Sequence, residues 1–409
     1  MTPGRLRRIM TAPVPGRPPT VYLDHAATSP LRPEVAEAMA PFGAERFGNS
    51  SGAHHVARDA RRALEEARDL VAECLGASPG EVVFTSGGTE AANLAILGTL
   101  AARQEAGLAA GAIVCSAVEH AAVLESCRAA TRATARIAGV APVELRVAPV
   151  DGQGILDLEA LEDLLRDDVG LVSVMLANNE VGTVQLIGEV VGAVARAAPG
   201  AAVHTDAVQA ASYLNVAELA RGADLLSVSG HKLGGPKGVG ALVVRERVRV
   251  DPIVHGGGQE RDRRSGTHDV AGAVGLAAAL RAVAASRREE SARVGALRDR
   301  LAAALVAGLP GTVRSVDSAR SLPGHCHLRF DGVEQEELLV LLDERGVCAS
   351  AGSACASGAL ERSHVLAAMG VPAGQARGAV RFTLGHSTGP PDIERAVSAV
   401  TDAVALLRG

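Results

Sequence analysis

Between residues 81 and 244, short apolar runs alternate with longer stretches whose apolar positions recur every three or four residues. The runs are Glu81–Thr85, Ala112–Ser116, Val143–Ala148, Gly170–Ala177, Ala201–Thr205, Ala223–Val228 and Val239–Val244. They read apolar throughout instead of alternating with polar positions, as strands buried on both faces do. Joined mostly by helical patterns, they predict a mostly parallel, seven-stranded sheet between helices, an α/β fold. Ahead of them Val56, Ala60, Leu64, Ala67, Val71 and Leu75 form the apolar stripe of a helix over 54–75, stopped by Gly76. An extended piece at Val21–His25 leads into a helix starting near Pro33-Glu34.

Past residue 270 the pattern changes. A long Ala/Arg/Leu helix near 271–308 precedes a strand near His325–Phe330, a helix over 334–345, a strand at Ala379–Leu384 and a closing helix from about 390. This predicts a smaller α+β domain from 289–409 completed by 20–30, against a large domain over 31–288. Residues 1–19, rich in Pro, Arg and Gly, lack the apolar periodicity needed to order themselves and are expected to form a disordered tail. The tail has no apolar signal core. It suits a transit segment or, the preferred reading, an over-extended start with Met10 as initiator.

In such sheets ligands bind beyond the carboxyl ends of the strands. The residues that follow the runs are Ser86-Gly87-Gly88-Thr89, Glu119-His120, Asn178-Asn179-Glu180, Asp206-Ala207-Val208-Gln209 and Ser229-Gly230-His231-Lys232, five polar clusters at one crevice. Only Lys232 and Lys237 are lysines among 41 basic residues. Lysine can lose a proton and attack a carbonyl, which arginine effectively cannot. Lys232 therefore reads as a Schiff-base lysine for an aldehyde cofactor or as a leftover lysine beside a glycine turn, and Lys237 as ordinary.

The neighbouring clusters suit pyridoxal phosphate, each with a plainer alternative. Asp206 suits a pyridine nitrogen or a helix N-cap, and Gly87-Gly88-Thr89 a phosphate or an ordinary strand-to-helix turn. His120 suits a ring lying over the cofactor or a solvated histidine. Gln209 and Asn179 suit ring and substrate groups or loop backbone. Cys355, in the small-residue stretch Cys348–Gly358, is a poor match for a buried core thiol, unlike Cys74, Cys115 and Cys127. Arg381, alternating with apolar neighbours on its strand, suits a carboxylate clamp or a solvated arginine.

Composition narrows the classes. With 47% hydrophobic and 21% charged residues and a net charge of -5, the chain reads as a soluble globular protein without general attraction to nucleic acid or anionic membrane. No charge-free run of about 18 apolar residues predicts a membrane-spanning helix. Six cysteines without paired spacing suit a reducing cytoplasmic compartment and no metal centre. The G-x-S-x-G match at Gly76–Gly80 is followed by a strand, and Pro79 has no N–H for an oxyanion, which argues against a hydrolase. His325 and His327 share one strand face but lack further ligands, so packing is the expected role.

From Tyr22 onward, YLDHAATSP, FGNSSGAHH, VVFTSGGTEAANLAI, VEHAAVL, NNEVGTVQ, HTDAVQA, SGHKLGGPKGVG, HGGGQERDRRSGT, SAGSACASG and AVRFTLGHST resemble, in order, the landmarks of group I (NifS-like) cysteine desulfurases, of the class V aminotransferase, fold type I group. The resemblance implies a homodimeric pyridoxal-phosphate enzyme that takes sulfur from L-cysteine. It makes Lys232 the Schiff-base lysine, Asp206 the partner of the ring nitrogen, His120 the stacking ring and Gln209 the donor to the ring oxygen. Gly88, Thr89, Ser229 and His231 would hold the phosphate, with Thr267 reaching across to the neighbouring subunit's. Arg381 and Asn179 would hold the substrate carboxylate. Cys355 would attack the substrate sulfur, keep it as a persulfide and pass it to an acceptor protein. Gly88 stands where many members have alanine. Alternatives are a selenocysteine lyase or aminotransferase on the same fold, or a non-catalytic sulfur-relay scaffold. The destination of the sulfur, whether iron–sulfur clusters, tRNA thiolation, DNA or a biosynthetic pathway, is left open.

Overall fold

The structure, a computed structural model, describes residues 19–108, 111–134, 142–352 and 363–409. Residues 1–18 of the expected tail and the segment carrying Cys355 lie outside the described residues.

Among the described residues twelve strands follow one another as β1 (Val21–Tyr22), β2 (Val82–Thr85), β3 (Ala112–Ser116), β4 (Glu144–Ala148), β5 (Val169–Ser173), β6 (Ala202–Asp206), β7 (Leu225–Ser229), β8 (Gly240–Val244), β9 (Thr312–Arg314), β10 (His325–Phe330), β11 (Val347–Cys348) and β12 (Ala379–Thr383). Seven form one sheet in the order β2-β8-β7-β6-β5-β3-β4, and only β8 runs against its neighbours.

The apolar runs fall where the pattern predicts because these strands are covered twice. Val82, Phe84, Val114, Val172, Val203, Leu226 and Val243 pack on one face with helices His55–Leu75 and Ile187–Ala197. Val83, Ile113, Leu171, Ala202, Leu225 and Leu242 pack on the other with Leu94, Ile96 and Leu124. Each such side chain contributes about 1.5–3 kcal/mol when fully buried. The exception is β4, an edge strand whose Val147 is exposed.

A third core gathers Val21, Leu23, Leu328, Phe330, Val380, Phe382, Ile393 and Val400 around the antiparallel sheet β12-β10-β9. There β1 pairs in parallel with β11, which ties the N-terminal piece to this core. Helix Val270–Gly308 is shared: Ala273 to Val283 pack in the first core, Val294 to Leu305 in the third. By length and composition alone this helix could cross a membrane, contrary to the sequence expectation, but 56% of its most apolar stretch is buried inside the protein. Its apolarity is spent on packing. The Gly76–Gly80 segment caps helix His55–Leu75 at Gly76 (φ 63°) and forms a turn into β2, not a nucleophile-bearing elbow.

Candidate active site

Because β8 alone is reversed, β2, β3, β5, β6 and β7 all end on one edge of the sheet, and the five polar clusters meet there. Lys232 ends the turn Gly230–Lys232 directly after β7. Its Nζ donates to the carbonyls of Ala26 at 2.5 Å and Ala27 at 2.8 Å. Burial, then the Arg381 guanidinium, pull its pKa from 10.5 down to about 8, against Asp24 and Asp206. An amine so placed sheds its proton near pH 8 instead of above pH 10.

Asp206, at the end of β6, is buried and makes no ion pair among the described residues; one carboxylate oxygen accepts from Val208 N at 2.9 Å. Burial raises its pKa, while His120 and Lys232 favour its charged form. His120 precedes helix Ala121–Thr134, and its Nδ1 accepts from Ala122 N at 3.1 Å. Burial keeps this ring neutral, although the charge of Asp206 favours protonation. Gln209 donates to Ala26 O at 2.8 Å, the carbonyl that also holds Lys232.

Helix Gly88–Asn93 starts at Gly87 with no side-chain cap, so its first N–H groups face the crevice free to meet an anion. A Cβ on Gly88 would lie 2.8 Å from Val208 Cγ2. The valine methyl fills the space that an alanine would need, which accounts for glycine here. Ser229 is buried behind this turn. His231 bonds Thr28 Oγ1 at 3.2 Å, and burial and Lys232 lower its pKa to about 4.

Arg381 departs from the picture of a solvated strand arginine, being 4% exposed. Its Nη1 donates to Asn179 O at 2.8 Å, and its Nη2 pairs with Asp24 at 2.8 Å. The turn supplying Asn179 is held by Asn178, whose side-chain oxygen accepts from the N–H groups of Glu180 and Val181. It closes at Gly182, φ 84°. A Cβ there would lie 2.5 Å from that of His325, so Gly182→Ala should cost about 1–3 kcal/mol from backbone strain alone. A lowered denaturant midpoint with unchanged slope checks this.

The structure thus brings Lys232, Asp206, His120, Gln209, Ser229, Asn179 and Arg381 to one crevice, with Gly88 and Thr89 at its rim. Thr267 is exposed on a separate loop and bonds to none of them. Sequence reasoning missed Asp24 and His364, and it placed Glu180 at the crevice without a role. Asp24 meets Arg381 across 357 positions, a pairing with no local signal. Glu180 accepts from Ser363 Oγ at 2.5 Å, and His364 bonds Glu119 O at 2.9 Å. Gly352 O in turn receives Arg381 Nη1 at 3.5 Å, so both described flanks of the 353–362 segment are fixed at this crevice.

The donor set fits pyridoxal phosphate: uncapped N–H groups for a phosphate, a buried carboxylate with no ion pair among the described residues for a cationic ring nitrogen, and an acidified lysine for an aldehyde. Comparison with known proteins agrees. The family model described as Aminotransferase class-V matches residues 21–395. An "IscS-like cysteine desulfurase" of Mycobacterium tuberculosis is 45% identical, over 95% of this chain and 97% of that protein. A solved "NIFS-LIKE PROTEIN" superposes with a TM-score of 0.86 at 33% identity, covering 95% of this chain and 100% of that one. A structure titled "SspA in complex with cysteine" matches with a TM-score of 0.74 at 31% identity, covering 89% and 98%.

Proposed function

We propose, from the premise that this chain belongs to the aminotransferase class-V family, that it is a pyridoxal-phosphate-dependent cysteine desulfurase. The observation that carries the reading is Lys232, half-buried at a strand end with its pKa drawn to about 8 and both Asp206 and His120 within electrostatic reach. Bound there, pyridoxal phosphate supplies an electron sink for the α-carbon of an amino acid.

The chain's own groups do the rest. Gly88, Thr89, Ser229 and His231 would hold the phosphate. Asp206 would pair with a protonated ring nitrogen, and neutral His120 would be the group beside the ring. Gln209, bonded here to Ala26 O, would donate to the ring oxygen. Lys232 takes a proton from the substrate α-carbon and returns one. Arg381, with Asn179, holds the carboxylate of L-cysteine, which competes with Asp24 for Nη2. The Cys355 thiolate attacks the substrate sulfur. The carbon–sulfur bond breaks, a sulfur–sulfur bond forms, and L-alanine leaves with a persulfide on Cys355. Support for Cys355 comes from the flanks of its segment, held at Gly352 and Ser363.

The same proposal includes a homodimer with Thr267 reaching the neighbouring phosphate, a thiol-bearing acceptor protein and a reducing cytoplasmic setting. The test is turnover of L-cysteine with dithiothreitol. Wild type should release sulfide and alanine in equal amounts, and Cys355→Ala should keep the cofactor's visible absorbance but release no sulfide. Sulfide release unaffected by Cys355→Ala sinks the persulfide route.

A further inference from the structure

His325 is 3% exposed, and among the described residues neither ring nitrogen has a well-formed hydrogen bond, the Asn179 carbonyl being its one weak acceptor. Buried polar groups are nearly always paired, so an orphaned imidazole points to a partner outside the polypeptide. The strand register fixes where the ring stands. Across the antiparallel pair β10 and β12, His325 opposes Thr383 and His327 opposes Arg381, so these four share one face. Cys326, Leu328, Val380 and Phe382 fill the core behind them. His325, Thr383, Lys232 and Gln209 line one narrow cavity of about 20 Å³, space for a single oxygen atom. The Nε of Arg381 is also buried without an acceptor among the described residues. His325 thus borders the amine on which the substrate would be loaded, and the Arg381 guanidinium lies within electrostatic reach of it.

Gly182 points the same way. It has no side chain where one would strike His325 Cβ at 2.5 Å and Cγ at 2.9 Å, so the turn presenting Asn179 is shaped around this ring. Burial, then Arg381, lower the imidazole pKa to about 3. The ring is therefore neutral, with one N–H to give. The Asn179 carbonyl is a weak acceptor for this ring and favours its charged form, but it is already shared with Arg381 Nη1 at 2.8 Å.

We propose that His325 is a further substrate-binding residue, donating its ring N–H to the carboxylate that Arg381 clamps. The inference rests on the desulfurase reading. A carboxylate offers about four acceptor positions, enough for both the arginine fork and an imidazole.

Holoenzyme titrated with L-alanine and with ethylamine, the same amine without the carboxylate, tests this through the cofactor's absorbance. His325→Ala should weaken L-alanine about tenfold, the loss of one hydrogen bond to a charged group. His325→Asn, which keeps a donor, should recover part of that, and ethylamine should bind all three proteins alike. Equal weakening of both amines would make His325 mere support for the pocket, and no change in either would leave it bonded to water only; each overturns the proposal. Wild type that neither binds L-alanine nor forms it from L-cysteine sinks the desulfurase reading itself.

Discussion

Lys232→Ala is expected to release sulfide at least 10²–10⁴-fold more slowly than wild type, about the contribution of one positioned acid–base group, before the lost covalent link to the cofactor is counted. The variant should also yield no borohydride-fixed adduct with pyridoxal phosphate. The fold should survive, because among the described residues Nζ makes hydrogen bonds only to the carbonyls of Ala26 and Ala27, and leaving both unpaired costs about 1–3 kcal/mol each if water does not replace it. The neutral amine is the nucleophile, and its share rises as pH climbs through the lowered pKa of about 8. Capture of the cofactor by wild-type apoprotein should thus quicken about tenfold per pH unit below 8 and level off above. A rate flat across that range would mean that the amine is already neutral and the electrostatic account is wrong.

The same residue marks how far the sequence could be read. Its scarcity singled it out, and the strand-end rule gave it Asp206, His120 and Gln209, because residues just past parallel strands must share an edge whatever the connections between them. The strands were legible for a related reason: burial on both faces leaves an uninterrupted apolar run. The edge strand β4 shows the limit, since Val147 belongs to such a run yet faces solvent. What could not be read were pairings made across cores. Arg381 alternates with apolar residues, which shows that it leaves the hydrophobic face but not that it enters a second buried one, where Asp24 and the orphaned His325 wait. The 325–327 histidines read as packing for want of further ligands, and only the strand register connects them to Arg381.

A second pairing of this kind should have the largest effect on stability. In the HGGGQERD stretch, Glu260, Arg261 and Asp262 all take left-handed φ angles of 49°, 58° and 63°, a conformation that costs non-glycine residues about 1–2 kcal/mol each. The turn persists because the Glu260 carboxylate is gripped from three other places. Arg68, on helix His55–Leu75, donates to both its oxygens at 2.8 Å; Phe84 N on β2 donates at 2.7 Å; and His268 Nε2 bonds it at 2.8 Å. Arg68 and Glu260 are both buried, so removing one partner strands the other's charge. Glu260→Ala or Arg68→Ala should each cost about 3–5 kcal/mol, and the double variant should cost less than the sum. Burial alone would raise the pKa of Glu260, but the bonds from Arg68 and His268 outweigh it and hold the group at about 2, against 4.5 ordinarily. A depressed carboxyl stabilises the fold fully above its unfolded pKa and loses that contribution as pH falls through the folded one. The stability gap between wild type and Glu260→Gln, measured by denaturant unfolding, should therefore stay level from pH 8 to about 5 and close between about 4.5 and 2. A gap that widens on acidification would mean that the pair is held neutral, and the strained turn would need another anchor.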